Sequence, residues 1–153
     1  MSSPSLPEHA ETVIIGAGAV GCSVAYHLSE LGAEDILVLD QGPLPITGGS
    51  SVHAPGIMFQ TSPSKVMTKT AYYTSRLLQD AGVYAEVGGI EVARSPERMD
   101  FLQRRVEYAT SYGLPDPQLL TPEEVAEHLP LVDPDQILGG YYSPRDDRVD
   151  AIG

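Results

Sequence analysis

One cysteine, two lysines and no long apolar run set the first limits on this 153-residue chain. Cys22 alone cannot close an internal disulfide, so nothing points to an oxidising compartment. Lys65 and Lys69 are the lysines, and 9 basic residues stand against 21 acidic ones for a formal net charge of −12. Nucleic-acid binding draws on Lys and Arg to neutralise phosphates. Beyond Arg104-Arg105 there is no basic cluster, so no nucleic-acid partner is expected. The acidic balance is read as aiding solubility. No apolar run approaches the roughly 18–20 residues that cross a bilayer, and no membrane partner is expected. The start, Met1 to His9, lacks the apolar centre of a secretion signal and the arginine-rich amphipathic character of a transit peptide. A cytoplasmic location follows as the expectation.

What is abundant is turn chemistry. Fifteen glycines and 13 prolines favour an architecture with many turns over a helix bundle, while 42% hydrophobic and 20% charged residues are those of a globular protein. Thr12-Val13-Ile14-Ile15 is a β-branched apolar run suited to a strand buried on both faces. Val20, Val24, Leu28 and Leu31 then recur at helical spacing, with Gly32 where a C-terminal cap belongs. A second apolar run, Ile36 to Leu39, closes on Asp40. Strand, helix and strand in such a short stretch predict a parallel pair with a right-handed crossover.

From Gln41 to Thr61 the pattern becomes a long loop rich in Gly, Pro and Ser, including Pro45, and long ordered loops are usually functional. Ser62-Pro63 reads as the cap and first residue of a helix to about Leu78, with Val66, Thr70, Tyr73 and Leu77 on one face. Tyr84 to Val87, Gly88-Gly89 and Ile90 to Ala93 suggest a β-hairpin. Ser95-Pro96 opens another helix with Leu102, Val106 and Ala109 aligned and Gly113 as its stop. Thr121-Pro122-Glu123-Glu124 is a capping box before a short helix. Ile137 to Tyr142 reads as a strand and Arg145 to Asp150 as a charged turn.

The chemistry concentrates between the first strand and helix. Gly16-Ala17-Gly18-Ala19-Val20-Gly21 is a Gly-x-Gly-x-x-Gly loop in the context that gives this motif meaning, with an acid closing the next strand. Gly16 permits the tight turn, Gly18 has no side chain to block a pyrophosphate, and Gly21 allows close helix packing. Phosphates would then meet free N–H groups and the positive end of the helix dipole. Asp40, 24 residues after Gly16, can accept hydrogen bonds from ribose hydroxyls and would repel a 2′-phosphate, which argues against NADP. A cluster of turn glycines with a solvated Asp is the alternative. FAD and NAD share the loop, although its place near the amino terminus is one that FAD enzymes often use.

His53 lies in Gly48-Gly49-Ser50-Ser51-Val52-His53-Ala54-Pro55-Gly56. The loop leaves the carboxyl edge of the sheet, where a dinucleotide lies. A neutral imidazole there can attack the 8-methyl carbon of a flavin in its electrophilic tautomer, or simply contact the cofactor. A lone loop histidine is more often a surface or hydrogen-bonding residue.

Val38 to Leu44, Gly48 to Thr61 with its His53-Ala54-Pro55-Gly56 centre, and Pro63-Ser64-Lys65 resemble the dimethylglycine oxidase and dimethylglycine or sarcosine dehydrogenase group of the D-amino-acid-oxidase-like FAD-dependent oxidoreductases. The likeness continues through Val87 to Ala93, Ile137 to Gly140 and Pro144 to Asp150, covering nearly the whole chain from Glu11. It implies an α/β fold: a Rossmann-like FAD-binding βαβ unit followed by the start of an inserted α+β substrate domain, as a fragment of a larger two-domain protein. The implied division is a polar leader over 1–10, FAD domain over 11–81, substrate-domain segment over 82–145, and a return toward the FAD domain over 146–153.

The implied cofactor is FAD, linked through its 8α carbon to His53. Gly16, Gly18, Val20, Gly21, Asp40, Gln41, Gly49, Ser50, Ser51 and Gly56 are its other expected contacts. Val52 departs from the Ser or Trp of relatives, which alters packing beside the flavin and leaves the imidazole in place. The implied reaction is oxidation of a small N-methyl amine such as dimethylglycine or sarcosine by hydride transfer to the flavin. Electrons would pass on to oxygen or a carrier protein, and a separate domain would supply folate. No catalytic acid or base is assigned within this stretch, and the 153 residues alone are expected not to turn over. No Cys/His/Asp spacing suggests a metal. Cys22 reads as a helix-packing residue, His27 and His128 as surface or interface residues, and Glu123, Glu124 and Glu127 as capping and solvated groups. Each of the pairs Tyr72-Tyr73 and Tyr141-Tyr142 is expected to have one buried and one exposed member.

Overall fold

The computed structural model describes residues 6–44, 48–114 and 116–149. Residues 1–5, 45–47, 115 and 150–153 lie outside it, and with them half of the polar leader, Pro45 and the end of the expected return segment. The chain divides into two compact units, one ending at Pro55 and the other beginning at Gly56.

The first unit is the expected βαβ. Strands β1 (Thr12–Ile15) and β2 (Ile36–Leu39) pair in parallel, with Thr12 opposite Ile36 and Ile15 opposite Leu39, and helix α1 (Ala19–Glu30) crosses between them. Gly32, at φ +86°, takes the left-handed conformation that stops α1, and Ala33 N–H donates to the Leu28 carbonyl. The strands are not buried on both faces as their composition suggested. Val13 and Ile15 are 51% and 89% exposed, because a two-stranded sheet with one crossover helix covers one of its faces.

The second unit begins with the short strand β3 (Ile57–Met58), then helix α2 (Lys65–Asp80), strands β4 (Tyr84–Glu86) and β5 (Gly89–Ala93) and helix α3 (Pro96–Ser111). Strand β6 (Gln118–Leu120), helix α4 (Pro122–His128) and strands β7 (Gly139–Ser143) and β8 (Asp147–Val149) complete it. Two antiparallel sheets result, in orders β3-β8-β4 and β5-β7-β6. The charged turn expected after Arg145 is therefore the site of a strand.

The expected hairpin does not form. β4 pairs with β8 and β5 with β7, so the chain passes from one sheet to the other at Gly88, whose φ is +72°. An isolated two-stranded ribbon is marginal in water, whereas pairing with β7 seats β5 between two helices. On one face Ala93 and Tyr141 pack with Leu102 of α3, backed by Met99, Val106 and Leu119. On the other, Leu120, Val125 and Ile137 pack with Ile90, Val92 and Tyr142. The period-2 alternation of β5 thus serves two cores. Full burial of a side chain such as Leu102 or Val125 is worth about 1.5–3 kcal/mol each.

The caps follow the sequence in two helices of three. Ser95 Oγ accepts from Arg98 N with Pro96 behind it, and the Thr121/Glu124 capping box is complete. α2 instead starts at Ser64, because Ser62 is tied into a turn by Thr68 Oγ1, which donates to its carbonyl and accepts from its N–H. The register of α2 moves with it. Thr68 and Ser75 are buried, while Val66 and Tyr73 of the expected apolar face are 72% and 53% exposed. Tyr141 is buried and Tyr142 half-buried. No described helix is long and apolar enough to cross a membrane.

Candidate cofactor site

The glycine loop of the first unit is built by three different constraints. Gly16 sits at φ +106°, where a side chain is strained, and its N–H donates to the Leu39 carbonyl at 2.7 Å, clamping the loop to β2. A Cβ on Gly21 would run into the Gly16 carbonyl oxygen and come within 3.4 Å of Ile14, so α1 lies directly against the loop only because this position is bare. A Cβ on Gly18 would meet no backbone, only Ser51 Oγ at 3.2 Å, so its bareness leaves backbone open to a ligand.

Asp40 reaches back across the loop. Its Oδ2 accepts from Ala17 N at 2.8 Å and its Oδ1 from Gly42 N at 2.9 Å. The Ala17 N–H, then that of Gly42, holds this exposed carboxyl below the usual carboxylate range, so it is an anion at any ordinary pH. Ser51, 32 residues away, caps α1 by accepting from Ala19 N at 2.9 Å, a role that Gly18 at the N-cap cannot fill. The sequence offered no signal for this cap, since it bridges two loops. Three of the loop N–H groups, those of Gly16, Ala17 and Ala19, are thus satisfied internally, while those of Gly18, Val20 and Gly21 have no partner among the described residues. They face the positive end of the helix dipole, the arrangement that receives a phosphate.

Beside the loop lies a cleft of about 440 Å³ lined by Ile15, Gly16, Leu39, Asp40, Gln41, Gly48 and Gly49. Gly16, Asp40, Gln41 and Gly49 of the expected cofactor contacts therefore share one concavity, with Gly18 and Ser51 in contact at the start of α1. Val20, on the first turn of α1, is 79% exposed. Ser50 and His53 bound a 3₁₀ turn, and the imidazole of His53 is exposed with no partner among the described residues. Gly56 has a task within the second unit. At φ +68° its carbonyl accepts from Val149 N at 2.7 Å, and a Cβ there would strike the Val149 carbonyl oxygen. Cys22 is exposed, with Sγ 3.3 Å from the Ala17 carbonyl. No group of three metal-ligating side chains occurs among the described residues.

The second unit carries a polar network that periodicity and motifs left unseen. Gln60, 3% exposed, donates through Nε2 to the Arg145 carbonyl at 2.6 Å, Tyr84 Oη at 2.9 Å and Asp147 Oδ2 at 3.2 Å. Its N–H donates to Asp146 Oδ1, which also accepts from Ser143 Oγ. Burial pushes the Asp146 carboxyl up, and pushes that of Asp147 up to about 6. Arg105 stacks over the Tyr141 ring at 4.4 Å, donates to Thr61 Oγ1 at 2.8 Å and pairs with Glu91 at 2.8 Å. Apart from the local Ser143–Asp146 pair, these partners are 14 to 87 residues apart, and only the fold brings them together.

A parallel βαβ with a glycine-rich loop between its first strand and helix, and an acid closing its second strand, has the form of a dinucleotide-binding α/β protein. Residues 11–152 match the family model described as DAO, FAD dependent oxidoreductase. The chain belongs to this family, and FAD is the family's cofactor. Mitochondrial dimethylglycine dehydrogenase of Rattus norvegicus is 36% identical over 160 residues, covering 97% of this chain and 18% of its own length. The mitochondrial pyruvate dehydrogenase phosphatase regulatory subunit of Mus musculus is 36% identical over 151 residues, covering 94% and 17%. Mitochondrial sarcosine dehydrogenase of Homo sapiens is 30% identical over 159 residues, covering 99% and 17%. Among solved structures, L-proline dehydrogenase from P. horikoshii superposes with a TM-score of 0.85 at 26% identity, covering 95% of this chain and 39% of that one. The chain thus spans under a fifth of the length of each of these three curated relatives.

Proposed function

We propose that this chain supplies the adenosine-diphosphate-binding half of the FAD site in an oxidoreductase acting on a small N-methyl amine of the dimethylglycine or sarcosine kind. One observation carries the reading: the N–H groups of Gly18, Val20 and Gly21, without a partner among the described residues, belong to the loop whose Gly16 lines a cleft with the Asp40 carboxylate. The pyrophosphate seats on those N–H groups, with Ser51 at its edge. Asp40 and Gln41 take the ribose hydroxyls, and Gly49 and Ser50 flank the cofactor. His53 would hold the flavin through its 8α carbon, the imidazole nitrogen replacing one hydrogen of that methyl group, and the side chain is exposed. Bound FAD supplies the acceptor for a hydride from an N-methyl carbon, leaving a substrate iminium for water or folate to capture. The residues of this chain bind and orient; the electrons leave to oxygen or a carrier protein.

A second reading keeps the fold and drops the turnover. It is favoured by the 36% identity to a relative named as a regulatory subunit. A third holds the flavin noncovalently and takes another amine or amino acid. Three measurements on the full-length protein separate them. Flavin that stays with acid-precipitated protein, and is released in His53→Ala, supports the covalent link; release from the unaltered protein refutes it. Dimethylglycine- or sarcosine-dependent bleaching of the flavin supports the N-methyl amine reading. Bleaching by other amines alone favours the third reading, and no bleaching by any amine favours the regulatory one.

A further inference from the structure

The 3₁₀ turn that carries His53, Ser50 to His53, lies in the first unit and is anchored there by one side chain. Residues 48–54 pair with no strand. Among the described residues, one hydrogen bond ties them to the βαβ frame, from Ala19 N–H to Ser51 Oγ at 2.9 Å. The turn is otherwise closed from within, where Ala54 N–H donates to the Ser51 carbonyl at 3.3 Å. Gly49 and Ala54 on either side of it are extended.

A 3₁₀ helix has three residues per turn, so Ser50 and His53 fall on the same side. Both are exposed, whereas Ser51 and Val52 between them are half-buried. Whatever fixes the inward side therefore fixes the direction in which the imidazole is offered. Val52 has no polar group for that purpose, which leaves the Ser51 hydroxyl as the directional contact. It fits against the start of α1 because position 18 is bare, a Cβ on Gly18 coming within 3.2 Å of Ser51 Oγ. With Gly18 at the N-cap, α1 has no capping side chain of its own. One hydroxyl thus closes the helix and anchors the turn.

We infer that Ser51 is a positioning residue: its bond to Ala19 sets the orientation of the 50–53 turn against the glycine loop, and so the rate at which His53 joins the flavin. This rests on the covalent reading proposed above and adds a residue that touches neither reacting atom. The linkage exchanges one hydrogen of the flavin 8-methyl group and the imidazole N–H for a C–N bond. In all, two protons and two electrons leave, and dioxygen takes them up as hydrogen peroxide. Ser51 has no part in that exchange. It restricts the imidazole to the place where the bond can form, and a small misplacement slows such a step many-fold.

The test uses full-length protein obtained without flavin from riboflavin-starved cells, supplied with saturating FAD, and follows acid-stable flavin against time. Total bound flavin is read in parallel before acid treatment, and an unchanged far-UV spectrum verifies that each variant folds. The parent is expected to accumulate acid-stable flavin. Ser51→Ala should bind a full complement of flavin yet link it about fivefold more slowly, the factor set by one hydrogen bond of ordinary net strength. Ser51→Thr and Ser51→Val are alike in shape and should separate, threonine linking near the parent's rate and valine as slowly as alanine. Linkage by Ser51→Ala or Ser51→Val at the parent's rate overturns the inference and leaves the covalent reading standing. Failure of Ser51→Ala to take up FAD at saturation also overturns it, by assigning Ser51 to cofactor affinity. So does a threonine variant as slow as alanine, since the hydroxyl is then not the agent. A parent without acid-stable flavin refutes the covalent reading, and this inference with it.

Discussion

Asp147 is 3% exposed in β8, and its two carboxylate oxygens fare differently. Oδ2 accepts from Gln60 Nε2, while Oδ1 is buried with no partner among the described residues. Loss of hydration raises the group from 3.8 to about 6, the Gln60 hydrogen bond opposing this only in part. The folded state therefore keeps its proton to higher pH than the unfolded chain. Stability from this group is at its best below pH 3.8, falls as pH rises through about 6, and stays low above. The gap corresponds to about 3 kcal/mol at neutral pH.

Asp147→Asn removes the charge and keeps an acceptor for Gln60, but sets an NH₂ where Oδ1 had no partner, which costs about 1–2 kcal/mol. The net expectation at pH 7 is a gain of about 1–2 kcal/mol, or about 2–8 °C in melting temperature for a chain of this size. Near pH 4 the gain vanishes or reverses. Thermal or urea unfolding of both proteins at pH 4, 5, 6 and 7 reads the difference directly. A variant less stable than the parent at pH 7, or a difference that does not change between pH 4 and 7, would refute the reasoning.

Two further substitutions test the packing. Gly21→Ala drives a methyl into the Gly16 carbonyl and should cost about 1–3 kcal/mol by overpacking, whereas Gly18→Ala meets only the Ser51 hydroxyl that caps α1, should cost less, and should lower FAD uptake by the full-length protein. Equal stability of the two variants in thermal unfolding would show that α1 does not depend on the close approach. Leu102→Ala empties a fully buried position between α3 and β5 and should cost about 2–5 kcal/mol in urea unfolding; a cost below ~1 kcal/mol would place the core elsewhere.

The amino-acid sequence by itself determined what depends on neighbours a few residues apart. Thr12 to Asp40 specified strand, glycine loop, helix and strand, because apolar periodicity, positive-φ glycines and helix stops act locally. Ser95-Pro96 and the Thr121 capping box marked two helix starts for the same reason. The motif around Asp40 and the family likeness likewise needed no coordinates. Tertiary structure decided the pairings. Glu86 and Gly89 stand at hairpin spacing, yet β4 and β5 find β8 and β7 about fifty to sixty residues later, since burial between α3 and α4 outweighs a local turn. Ser51 caps a helix 32 residues away, and Gln60 meets Asp146 and Asp147 across 86 and 87 residues. Such contacts leave no periodic trace, because which polar groups share a buried space is set only once distant strands have chosen their partners.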